Sequence, residues 1–181
     1  MMAWIADALT ASRVLLAVLL AVAVASGSLT TAAVVLVVAW LTDFLDGRLA
    51  RAAAADTRLG DWDFRIDVTL GVAILVGLML AGLAPAWLML VVIAILLGLT
   101  LVTGNPAPSM LMLAFAYAWF LWLLLDLRPT LWWLPFASIV LLFVVEWRRF
   151  FAVILPAFFR GAAGLGRSEP PEGGPVLERW A

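Results

Sequence analysis

The sequence predicts an all-α polytopic membrane protein of six transmembrane helices with interfacial helices at both ends. Three observations carry that expectation. Of 181 residues, 66% are hydrophobic and only 13% charged, against roughly half and a quarter in a soluble domain. The apolar residues recur in runs near the roughly 20 residues that cross a bilayer. The eleven basic residues, all arginine, fall almost entirely on one side of an alternating arrangement of those runs.

The runs are separated by turn and helix-stop material. The first span covers about 10–27 and ends at Ser26-Gly27-Ser28, and the second covers 30–54. The third, 59–81, stops at Gly82-Leu83-Ala84-Pro85; the fourth runs from Pro85 to Thr103, before Gly104-Asn105-Pro106-Ala107-Pro108. The fifth, Pro108 to Leu125, ends at Asp126-Leu127-Arg128-Pro129, and the sixth is Leu131 to Trp147. Length alone leaves room for a re-entrant segment in place of one span. Trp4 to Thr10 reads as a short interfacial helix, not a signal peptide, because no basic residue precedes the apolar stretch. Phe150 to Phe159 reads as a second one, interrupted by Pro156. Residues 1–160 form the membrane domain, and 161–181, rich in Gly, Pro, Glu and Ser, read as a disordered cytoplasmic tail.

With an N-in, C-in topology, Arg13, Arg48, Arg51, Arg58, Arg65, Arg148, Arg149, Arg160, Arg167 and Arg179 lie on or near the cytoplasmic side, and Arg128 alone lies outside. That asymmetry is the positive-inside pattern. Arg48, Arg58 and Arg65 read as topology determinants before they read as ligands. Arg148 and Arg149 read as a snorkelling pair near Glu146, with an acceptor-phosphate site as the alternative.

Cysteine and histidine are both absent. Disulfides, thiolate sites and imidazole bases are excluded, and any metal must sit on oxygen, which points to a hard cation. The acids concentrate in Asp43-Phe44-Leu45-Asp46-Gly47-Arg48-Leu49-Ala50-Arg51 and in Gly60-Asp61-Trp62-Asp63-Phe64-Arg65-Ile66-Asp67. Charge inside membrane helices is costly and marks function. At about 100° per residue, Asp46, Gly47 and Ala50 lie within roughly 60° of Asp43, with Arg51 flanking. Asp63 and Asp67, four apart, share a face of the next helix. Four converging carboxylates would repel one another unless one or two divalent ions joined them. The bland alternatives are a solvated helix-end pair for Asp43 and Asp46, a first-turn acid bias for Asp63 and Asp67, and a simple turn glycine at Gly60.

Asp43-x2-Asp46-Gly47-x2-Ala50-Arg51-x8-Gly60 resembles the first part of the signature of the CDP-alcohol phosphotransferase (phosphatidyltransferase) family, a six-helix membrane fold whose signature occupies spans two and three. Leu9-Thr10-Ala11-Ser12-Arg13 resembles that family's lead into span one. The resemblance implies transfer of a phosphatidyl group from a CDP-linked lipid donor to an alcohol acceptor, with release of CMP. It implies Mg2+ or Mn2+ on Asp43, Asp46, Asp63 and Asp67, with Asp67 as general base. It implies nucleotide contacts at Gly47, Ala50, Arg51 and Gly60, a homodimer among membrane lipids, and a site on the cytoplasmic side of a bacterial inner membrane. Nothing points to nucleic acid. The default acceptor is glycerol 3-phosphate. One departure stands out. The family's third and fourth aspartates follow the second glycine by four and eight residues, positions held here by Phe64 and Val68, whereas Asp63 and Asp67 come one residue early. The Ala-rich turn is expected to absorb the deletion, leaving the carboxylates in place and displacing Gly60. Two other functions stay open: a non-catalytic, degenerate family member, and a small cation or solute transporter, for which acids near the membrane midplane would be expected.

Overall fold

Long apolar runs free of internal glycine or proline, such as Val14–Ala25, satisfy their backbone polar groups in lipid only by forming helices. The computed structural model describes residues 2–53 and 63–164, with side chains over 11–46, 48 and 65–164. Every regular element among them is helical: α1 (Met2–Ala25), α2 (Leu29–Ala53), α3 (Asp63–Leu80), α4 (Ala86–Val92), α5 (Gly98–Thr103), α6 (Ala107–Leu127), α7 (Pro129–Arg149) and α8 (Leu155–Gly164). A π-helical turn, Ile93–Leu97, joins α4 to α5 into one rod, and a second, Phe150–Ile154, joins α7 to α8.

Three rods, Leu29–Asp46, Ala86–Thr103 and Ala107–Leu127, are long and apolar enough to cross a membrane by themselves. The chain is a membrane protein on this ground. Helix α3 falls short by composition, because three of its 18 residues are Asp63, Arg65 and Asp67.

The breaks fall where glycine and proline predict them. After α1, Ser28 N–H bonds Ala23 O at 2.9 Å and Gly27 N–H bonds Val24 O at 3.0 Å, with Gly27 at φ 72°. This is a Schellman end, which requires a left-handed residue there. Gly82 closes α3 in the same way, with Leu83 N–H on Leu78 O at 3.0 Å and φ 67°.

Two expectations are corrected. No separate interfacial helix precedes span one: α1 runs unbroken from Met2 to Ala25, since nothing between them breaks a helix. Pro156 does not interrupt the C-terminal helix either. A proline ring clashes with the carbonyl four residues back, here at Ala152. The wider π turn over Phe150–Ile154 lies across that position and lets the helical path continue. It continues to Gly164, four residues past the expected domain boundary at 160; 165–181 lie outside the described residues.

The core centres on α1, α2 and α3 and extends onto α6. Helix α1 packs along both α2 and α3, α6 packs on α3, and α7 covers α2 and α6. The buried stripes have helical spacing: Ala17, Leu20 and Val24 on α1; Leu29, Ala32, Ala33, Leu36 and Ala39 on α2; Leu70, Ile74 and Leu78 on α3. Gly77 lets α1 and α3 touch, since a Cβ there would stand 2.7 Å from Val24 Cβ and 3.1 Å from Ala21 O. Gly71 faces Leu113 of α6 just as closely.

Candidate active site

The charged residues extend the apolar stripes. On α1, Arg13 stands four residues before Ala17; on α2, Asp43 and Asp46 follow Ala39 by four and seven; on α3, Asp67 precedes Leu70 by three. Helices that bury those stripes against each other must therefore bring these four side chains to one end of the bundle.

They meet there on a single guanidinium. Arg13 Nη1 donates to Asp43 Oδ1 and, at 2.7 Å, to Asp67 Oδ1, and Nη2 donates to Asp46 Oδ2 at 3.0 Å. Arg13 has no solvent exposure, and the Asp46 side chain is 4% exposed, while those of Asp43 and Asp67 are 41% and 30% exposed. The cluster is closed on the Asp46 side and open on the Asp43 and Asp67 side. A buried arginine is tolerated only when paired, and charge-assisted bonds from a planar fork are the strongest pairing available.

One helical turn deeper, the Trp40 and Tyr117 rings meet edge-on at 5.2 Å between centroids and join α2 to α6 beneath the acids. Arg48 is exposed, with its guanidinium 5.2 Å from the Phe44 ring centroid. Arg149 approaches Glu146 at 4.0 Å.

Of the residues expected at the site, Asp43, Asp46 and Asp67 are brought together. Val68, at the position that the family spacing gives to an aspartate, is packed in the apolar core; Asp67 is the residue that reaches the cluster. The surroundings of Gly47, the side chains of Ala50, Arg51 and Asp63, and the whole of Gly60 lie outside what the structure describes. Arg13, read from the sequence as part of the positive-inside pattern and of the lead into span one, stands at the centre of the cluster. Its signal was an arginine placed three residues inside an otherwise apolar span.

The donor set is all carboxylate oxygen, from two helices, and suits a hard divalent cation in kind. Its present geometry is organised around Arg13: among the described residues, no three acids are arranged to hold an ion as they stand.

An all-helical membrane protein with partly exposed carboxylates gathered at one end of three packed helices is the class that the fold and the cluster define. The profile of the CDP-alcohol phosphatidyltransferase family matches residues 3–147, and the chain belongs to that family. No curated protein and no solved structure matches it. Membership makes the chain a transferase of substituted phosphate groups, moving a phosphate-linked group from a CDP-alcohol to an alcohol in lipid synthesis.

Proposed function

We propose that the chain transfers the phosphatidyl group of a CDP-linked lipid such as CDP-diacylglycerol to an alcohol, by default glycerol 3-phosphate, and releases CMP in phospholipid biosynthesis. The observation that carries this reading is the meeting of Asp43, Asp46 and Asp67, from both halves of the family signature, at a partly exposed position.

In this reading Asp43, Asp46, Asp63 and Asp67 hold one or two Mg2+ or Mn2+ ions, which supply charge neutralisation for the CDP diphosphate and for departing CMP. Asp67 accepts the proton of the acceptor hydroxyl as its oxygen bonds to the lipid-linked phosphorus and the bond to CMP breaks. Its 30% exposure leaves room for an alcohol to reach it, and position rather than basicity sets its effectiveness. Gly47 and Ala50 admit the cytidine nucleotide close to the α2 backbone, Gly60 serves the same nucleotide, and Arg51 contacts phosphate. All six helical rods cross the membrane, with both termini and the site on the cytoplasmic face of a bacterial inner membrane, and the protein works as a homodimer among membrane lipids. The turn at 104–106 and α8 lie at the same end of the bundle, joined by Asn105 Nδ2 donating to Gly161 O at 2.7 Å, as that topology requires.

The test is CMP release by purified protein given CDP-diacylglycerol, Mg2+ or Mn2+, and a panel of alcohols. Release that depends on one acceptor and stops on chelation supports the reading. A protein that binds the ion but releases no CMP with any acceptor is a non-catalytic family member, and cation flux in liposomes would identify a transporter.

A further inference from the structure

Arg13 comes from α1, outside the segment Asp43–Asp67 that carries both halves of the signature, yet it ties that segment together. Its Nη1 is shared by Asp43 of α2 and Asp67 of α3, and its Nη2 holds Asp46 of α2. A guanidinium offers fixed, planar donors and one charge. A Mg2+ ion draws on the lone pairs of the same carboxylates at about 2.0–2.1 Å and demands octahedral placement. The two cannot share one meeting point.

We propose that Arg13 is a positioning residue that competes with the divalent cation for Asp43 and Asp67 while it stays bonded to Asp46. Loading the site requires its guanidinium to withdraw from at least one carboxylate. The exposures fix which. Asp43 and Asp67 face the open side, whereas Asp46 is almost fully buried. The ion therefore displaces the Nη1 bonds, and the Nη2 bond to Asp46 remains as the pivot. Arg13 thereby keeps the carboxylates gathered and tunes the affinity of the site. This inference rests on the reading of the acids as ion ligands.

The experiment uses the full chain in detergent, stripped with chelator, in three forms: wild type, Arg13→Gln and Arg13→Lys. Mn2+ binding is followed by the electron paramagnetic resonance signal of the free ion, without lipid substrate, and thermal unfolding is recorded with and without Mn2+. Removing one adjacent positive charge should tighten Mn2+ binding by about tenfold or more in Arg13→Gln, given the strength of charge interactions at such range. Arg13→Lys, which keeps the charge and loses the fork, should show a smaller gain. Mn2+ should raise the unfolding temperature more in Arg13→Gln than in wild type. A purely structural arginine would not increase ion affinity when removed. If Arg13→Gln does not fold, tighter binding by Arg13→Lys supports the proposal and unchanged or weaker binding overturns it.

Binding at or below wild-type affinity in the Arg13 variants, with Asp43→Asn weakening it, overturns the competition and leaves the ion-site reading intact. Absence of Mn2+ binding in every form, wild type included, overturns both.

Discussion

Gly77 sets how closely α1 approaches α3, and hence where Arg13 stands relative to Asp67. A methyl group at Gly77 would lie 2.7 Å from Val24 Cβ and 3.1 Å from Ala21 O. Comfortable carbon contacts need about 3.5–4.0 Å, so the helices must part by roughly 1 Å. Neither obstacle is the free end of a long side chain. Overpacking of this kind costs about 1–3 kcal/mol, and the gain in helix propensity from Gly to Ala returns up to ~1 kcal/mol. With the full return the net loss is ~0–2 kcal/mol, a fall of up to roughly 8 °C in unfolding temperature for a chain of this size. Two other glycines serve as internal controls. At Gly71 the 2.7 Å neighbour is Leu113 Cδ2, while Leu113 Cα is 3.7 Å away, so a rotamer change relieves most of the contact and Gly71→Ala should fall between the extremes. At Gly98 nothing lies within 4 Å, so Gly98→Ala should be neutral or slightly stabilising. Thermal unfolding in detergent, followed through the ten tryptophans, reads the order directly. An unfolding temperature for Gly77→Ala equal to or above that of Gly98→Ala would refute the claim that helix contact at this point positions the site.

Asn105 donates to Gly161 O at 2.7 Å and accepts from Ala107 N–H at 3.0 Å. Asn105→Ala should therefore release α8, at about 1 kcal/mol per bond, and speed tryptic cleavage at the exposed Arg160. Thr100 Oγ1 accepts from both the backbone N–H and the hydroxyl of buried Ser109, at 3.0 and 2.7 Å. Thr100→Val should cost about 1–3 kcal/mol by stranding both donors, more than Ser109→Ala, as measured by unfolding. Because the chain has no cysteine, single cysteines report orientation: Ser26→Cys should react with a membrane-impermeant maleimide on intact cells, and Arg160→Cys only after permeabilisation.

The fold was legible where local chemistry decides it. Ser26-Gly27-Ser28, Gly82 and the Asn105-Pro106 turn mark their helix ends because left-handed or proline-compatible backbone is needed there whatever the rest of the chain does. The meeting of Asp43 and Asp46 with Asp67 was legible too, because the acids continue the spacing of the apolar stripes. Long-range contacts were not. Gly71, Gly77 and Gly98 look alike in sequence, and only the neighbouring helix separates them. Arg13 has the same positive-inside signature as the other arginines, and its central place depends on α1 seating between α2 and α3. The π turn ahead of Pro156 is a compensation for proline that helix propensity alone does not show. Asn105 finds its partner 56 residues away, beyond any periodicity.

In the proposed reaction, Asp67 stands where an incoming hydroxyl must lose its proton. CMP release from CDP-diacylglycerol should be compared for wild type and Asp67→Asn under saturating Mg2+ or Mn2+, with the best acceptor from the panel and folding checked by unfolding temperature. Loss of a positioned base predicts a fall of about a hundredfold or more. Undiminished release from a folded Asp67→Asn protein would contradict it.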